Sequence, residues 1–328
     1  MQKLIQSLLG EEKLNIVDVG STGGPELRWR KWENACFFYT FDPDPRAQSW
    51  SSTSKNFPVG LWSHRCSQTI HLASYPPASS LFKPNQEFLS AFSVQSAMQE
   101  VGTKKIELHT LDQILNGHPI DFLKIDAEGA ELEILKGATH TLNQQCLGMQ
   151  LEALFCPIRQ NAPSFNDLDT FAKNFDLQLF HIQREHWMRK NKISAYVSNP
   201  QLIWGNVLYL LPKRIFLKKL KQSDNPKLLL GKYLLILLAY NLFDYAYELC
   251  EEVSFEETEK LKEVLQGLSL SKKEVVKLVF SLLVGAGKYG LCFSTKSKQN
   301  RLSYLKRKVR DLGTLCLYLG KNDFALYD

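Results

Sequence analysis

Residues 120–138, IDFLKIDAEGAELEILKGA, constrain the fold more than any other stretch of this chain. Phe122 to Ile125 is too short and too apolar for a half-exposed strand, so it reads as a central strand of a parallel sheet, covered on both faces. Asp126 ends it. From Glu128 the period becomes 3.6, with Leu132, Leu135, Ala138 and Leu142 as a core-facing stripe and Glu131, Glu133 and Lys136 mostly off it. Strand alternation puts Lys124 on the side of Asp126, so a lysine is carried into a buried position and requires an acidic partner. In open α/β sheets ligands lie beyond the carboxyl ends of the strands, which is the place of Asp126, Glu128 and Gly129. A plainer reading leaves Glu128 and Glu131 as acids favoured at the positive end of a helix.

A second, independent pattern lies upstream. Asn15 to Val19 followed by GSTGG reads as a first strand entering a glycine turn. Gly20, Gly23 and Gly24 permit a tight turn and close approach of backbone to a ligand. The spacing is not the dinucleotide GxGxxG, and Asp18 sits just ahead of it. The next strand, Phe37 to Phe41, ends in Asp42, 22 positions after Gly20. An acid there can accept both ribose hydroxyls and marks an adenosine ligand without a 2′-phosphate.

KIDAEGAELEILKGA resembles the signature segment of the FkbM family of S-adenosylmethionine-dependent methyltransferases. The resemblance implies a Rossmann-like class I methyltransferase fold, a mostly parallel sheet with helices on both faces, and methylation of a hydroxyl on a sugar, glycan or natural product. It implies that the turn of Gly20, Ser21, Gly23 and Gly24, with Asp18 before it, cradles the amino-acid part of S-adenosylmethionine while Asp42 takes the ribose. FDPDP resembles the second motif of the family, with Asp where Glu is more usual, and Ser79-Ser80-Leu81 resembles a recurrent serine pair. Leu147, Met149 and Leu151 form one face of a further strand, and Glu152 ends it at the edge reached by Asp126. In the family an acid is common there. Asp126, Glu128 and Glu152 are therefore the expected catalytic residues, with Glu152 a candidate to hold Lys124, orient the acceptor or help bind a divalent ion. Metal dependence stays open, and no metal ligand is assigned.

Between these motifs, Asn56 to Trp62 reads as the third strand and Ser67 to Leu72 alternates like a solvent-facing one. Ala73 to Val101, rich in Ser and Pro, is long enough for a lid or substrate loop. Ile106 to His109 is a short strand, and Thr110 with Gln113 has capping-box spacing. Ser164 to Phe175 is helical, Leu177 to Ile182 extended, and Gln201 to Leu210 the last strand. His64 falls where a third strand would end beside the adenine, and His181 and His186 where they can approach the acceptor.

The sheet domain should fill residues 1–212, leaving 213–328 as a helical extension with helices at Leu228 to Phe243, Glu256 to Leu268, Lys272 to Val284 and Leu302 to Leu319. From Lys213 onward there are 21 Lys+Arg against 13 Asp+Glu, whereas residues 1–212 hold 19 against 21. The basic helix Lys296 to Arg310 suits an anionic membrane surface, an acidic partner or a solvated face. YLLILLAYNLF, bracketed by Lys232 and Asp244, falls short of the roughly 20 residues that span a bilayer. The N-terminus has no signal-peptide layout, and seven scattered cysteines without a metal-finger spacing fit reduced thiols in the cytoplasm.

Three other functions compete. A nicotinamide dehydrogenase lacks its glycine spacing, a nucleic-acid methyltransferase lacks Asn-Pro-Pro-aromatic and Pro-Cys motifs, and a non-catalytic module retaining the fold would bind cofactor without turnover. A protein acceptor also stays open. A small-molecule or glycan acceptor is the expected partner.

Overall fold

A computed structural model describes residues 1–21, 24, 26–44, 53–190 and 199–268. Contacts divide the chain into two compact units, Met1–Lys262 and Glu263–Asp328. The first extends past the expected boundary at residue 212. Of the second only residues 263–268 are described, so the expected helices Lys272 to Val284 and Leu302 to Leu319, and the basic segment Lys296 to Arg310, lie outside the described residues.

The first unit opens with helix α1 (Gln2–Leu9) and strand β1 (Leu14–Val19), then a 3-10 helix (Leu27–Ala35) and β2 (Cys36–Phe41). β3 (Ser54–Phe57), β4 (Gly60–Leu61), β5 (Cys66–Ala73), the short helix α2 (Gln86–Leu89) and β6 (Glu100–His109) follow. After α3 (Leu111–Leu115) come β7 (Phe122–Ile125), α4 (Glu131–Lys136), α5 (Thr139–Gln145), β8 (Gly148–Leu154), α6 (Phe165–Lys173), β9 (Gln178–Trp187) and β10 (Gln201–Leu210). Helices α7 (Lys213–Gln222), α8 (Pro226–Ala239), α9 (Phe243–Glu251) and α10 (Glu256–Gln266) complete the described chain.

Seven strands form one sheet in the order β3-β2-β1-β7-β8-β10-β9. The first five are parallel and β10 runs antiparallel to both its neighbours, so the expected Rossmann-like, mostly parallel architecture is the one observed. The order reverses at β1 and β7, where a cleft opens at the carboxyl ends of the strands. Phe122 and Ile125 are fully buried, as a central strand requires.

One polar row crosses the middle of this sheet. Register aligns Asn56, Thr40, Asp18, Lys124 and Gln150 on adjacent strands, hence on one face. Each is partnered: Thr40 Oγ1 donates to Asn56 Oδ1 at 3.1 Å, and Gln150 Nε2 donates to Glu26 Oε1 at 2.6 Å. Phe122 shares that face and packs against Trp29 and Tyr240.

Three local expectations change. The third strand does not run from Asn56 to Trp62: β3 ends before Pro58, which has no N–H for the ladder, and β4 joins a second sheet of order β4-β6-β5. β6 is also longer than the expected Ile106 to His109, because its first half pairs with β5. The signature helix begins at Glu131 and breaks at Gly137, where an added Cβ would lie 2.2 Å from the Trp62 carbonyl oxygen. Glu131, expected off the core stripe, is buried because its carboxylate turns back to accept the N–H groups of Ala127 at 2.9 Å and Gly129 at 3.3 Å.

The apolar run after Lys232 forms α8, which packs against α1. Lys232 itself is buried, its Nζ 2.9 Å from Asp121 Oδ2. No helix among the described residues is long and apolar enough to cross a membrane.

Candidate active site

The carboxyl ends of β1, β2, β7 and β8 open into a cavity of about 890 Å³. Gly20 stands at its floor with φ +77°, and its N–H donates to the Phe41 carbonyl at 2.9 Å. A Cβ there would lie 1.8 Å from the Asp126 carbonyl oxygen, so only glycine lets the two strand ends close together. Asp42, ending β2, lines the cavity, and its Oδ1 accepts the Asp44 N–H at 2.8 Å. Gly24, at φ +75°, closes a turn onto the Ser21 carbonyl at 2.8 Å. Gly23 lies outside the described residues.

Asp18 takes a different place from the one expected. Its buried carboxylate meets Lys124, with Oδ1 3.0 Å from Nζ, and it does not line the cavity. Burial by itself would lower the Lys124 pKa, but Asp18, followed by Asp126 at 3.6 Å, outweighs it and holds the ammonium above its ordinary value. The expected Lys124–Glu152 pair therefore does not form: the lysine reaches sideways to β1, not across to β8.

Asp126, Glu128 and Glu152 do converge on the cavity. Glu128 adopts φ +55° and Gly129 φ +102°, two successive left-handed residues that throw the chain sharply out of β7. The Glu128 carboxylate pairs with Arg159, which also donates to the Ala78 carbonyl at 2.8 Å. Ser80 Oγ donates to the Glu128 carbonyl at 2.7 Å, tying the segment after β5 to the turn after β7. Glu152 is buried, and its Oε2 has no hydrogen-bond partner among the described residues. Burial, reinforced by Glu128 and Asp126, pushes its pKa well above the ordinary carboxylate range. Burial also raises Glu128, against the pull of Arg159, and takes Glu131 up to about 7.

Arg159 and Trp204 were not foreseen. Arg159 follows the end of β8 in a segment without periodicity, and Trp204 is one of two aromatics in β10, so nothing in their spacing marks a site. His64, His181 and His186 are exposed and do not line the cavity; the last two lie on the edge strand β9. Among the described residues no group of three or more His, Cys, Asp and Glu is arranged to hold a metal ion.

Two solved structures show how far likeness extends. A methyltransferase FkbM from Methylobacillus flagellatus KT is 16% identical with a TM-score of 0.36, over 60% of this chain and 43% of its own. This chain thus matches less than half the length of that protein. Magnesium protoporphyrin IX methyltransferase from Synechocystis PCC 6803, with bound SAM, is 9% identical with a TM-score of 0.30, over 64% of this chain and 79% of its own. No curated protein sequence matches the chain. Residues 20–179, however, match the family model described as Methyltransferase FkbM domain. That span runs from the Gly20 turn through the cavity acids to the start of β9, and over it the chain matches the FkbM methyltransferase domain.

Proposed function

We propose that this chain is an S-adenosylmethionine-dependent O-methyltransferase acting on a hydroxyl group. What carries the reading is that two kinds of group line one cavity: the Gly20 floor with Asp42, and the acids Asp126, Glu128 and Glu152. Gly20 and Asp42 fit the cofactor, the first by leaving room for close backbone approach and the second by offering carboxylate oxygens to a ribose diol. When bound, S-adenosylmethionine supplies an electrophilic methyl whose transfer breaks the carbon–sulfur bond.

The remaining task of the protein is to align a hydroxyl oxygen and receive its proton. Asp126 has Lys124 beside it and Glu128 has Arg159, whereas Glu152 has no cation at hydrogen-bond distance among the described residues. Burial holds the Glu152 carboxyl well above its ordinary value, and it accepts the proton as the new carbon–oxygen bond forms. Lys124 and Arg159 keep the other two carboxylates in place around the acceptor.

The test is calorimetric titration with S-adenosylmethionine, S-adenosylhomocysteine and NAD, repeated on Asp42→Ala. The reading expects both sulfur ligands to bind and the variant to lose roughly 10- to 100-fold in affinity, the worth of hydrogen bonds to a charged acceptor. Binding of NAD alone, or of none of the three, would sink it.

A further inference from the structure

The cavity has a third region that neither the cofactor nor the proton transfer uses. In the second sheet, register sets Ile70 opposite Lys104, Gln68 opposite Ile106 and Cys66 opposite Leu108, so Ile70, Leu72, Ile106 and Leu108 share one face. That face lines the cavity. Ile70, Leu72 and Ile106 are only half-buried, and Val101 at the cavity wall is 65% exposed. A two-layer domain normally buries such a face; apolar surface left open inside a cleft marks a binding surface.

The position of this face decides what it can bind. The adenosine side of the cavity is where Asp42 N–H reaches the Phe57 carbonyl, close to Val59 and Leu61. Ile70 and Leu72 pair with Lys104 and Gly102, four and six residues along β6 from Leu108, the partner of Gly60. They flank His71, whose backbone pairs with Ser80 in both directions, at 2.8 and 3.0 Å, and Ser80 in turn holds Glu128. One backbone bridge and one side-chain hydrogen bond separate the apolar face from the acids.

Resting on the methyltransferase reading, we infer that the acceptor is an alcohol carried on an apolar body, which lies along Ile70, Leu72 and Val101 while its hydroxyl reaches Glu152. A bare sugar would leave this wall facing water. An alkyl or isoprenoid-like body covers it.

The inference is tested by calorimetric titration of methyl, hexyl and octyl β-glucoside below their micelle concentrations, with and without S-adenosylhomocysteine. Affinity should rise about threefold to fourfold per added methylene, the transfer value for a buried CH₂. Ile70→Ser with Leu72→Ser should flatten that slope and leave S-adenosylhomocysteine binding unchanged. Val101→Ser, at a position 65% exposed, should reduce the slope in the same direction. Equal affinity across the series, no binding of any glucoside, or an unchanged slope in both variants would overturn the inference. Failure of S-adenosylhomocysteine to bind the parent protein would sink the cofactor reading instead, and the slope without it would still decide this one.

Discussion

Lys124 Nζ lies 3.0 Å from Asp18 Oδ1, across the pairing of β1 with β7 and just beneath the cavity floor. Both groups are buried, so this pair fixes the strand ends from which Gly20 and Asp126 emerge. Lys124→Met would leave the Asp18 charge unpaired inside the sheet, which typically costs about 3–5 kcal/mol. Urea unfolding should show that loss, and Lys124→Met combined with Asp18→Asn should recover much of it.

Glu152 gives a pH dependence with a defined sign. Its folded-state pKa is raised, so its contribution to stability is full below the ordinary carboxylate value of 4.5 and is lost as pH rises through the raised value. Glu152→Gln removes that loss. Thermal unfolding at pH 5 and pH 8 should therefore show the variant gaining on the parent protein at pH 8, at up to about 1.4 kcal/mol per pH unit of the window.

Catalysis should run the opposite way with pH. A base must be ionised to accept a proton, so turnover should climb as pH passes through the raised Glu152 value. Glu152→Gln should cost roughly 10²- to 10⁴-fold in kcat, the usual worth of a general base. Initial rates of methyl transfer to an acceptor with a free hydroxyl, measured across pH, check both statements.

Arg159 should act through Glu128. Arg159→Met strands the half-buried Glu128 carboxylate beside Asp126 and Glu152, and the expected loss is about 1–3 kcal/mol. Adding Glu128→Gln should restore part of it in a double-mutant cycle, because the two side chains form one pair. Additive losses would mean that Arg159 works through the Ala78 carbonyl instead.

Gly20→Ala combines a left-handed φ with a Cβ driven onto the Asp126 carbonyl. The strand ends must part to admit it. S-adenosylhomocysteine affinity, followed by calorimetry, should fall at least tenfold while far-ultraviolet circular dichroism stays near that of the parent protein.

The parts of this architecture that were legible in the sequence are those written locally. Strands β1, β2 and β7 announce themselves because period, apolarity and a terminal Asp or Gly coincide within a few residues. Asp126, Glu128, Glu152, Gly20 and Asp42 can be placed together because strand ends of a parallel sheet share one edge, and all five line the cavity. The partner of Lys124 was not fixed by the sequence, since alternation sets the side a residue faces but not which neighbouring strand it leans toward. Glu131 was misjudged because helical periodicity says nothing of a carboxylate that folds back onto the turn before its own helix. Arg159 was out of reach, as its pairing with Glu128 joins residues 31 positions apart through a loop without a repeating pattern.

The second sheet is a continuous insertion, residues 60–109, between the strand that follows Asp42 and the strand that ends in Asp126. It is tied to the acids by the hydrogen bond from Ser80 to the Glu128 carbonyl and by Arg159, which bridges the Ala78 carbonyl and the Glu128 carboxylate. On the proposed reading, the apolar acceptor wall and the carboxylates that receive the proton come from separate stretches of chain. Exchanging the cassette would then change the acceptor while Asp126, Glu128 and Glu152 stayed in place.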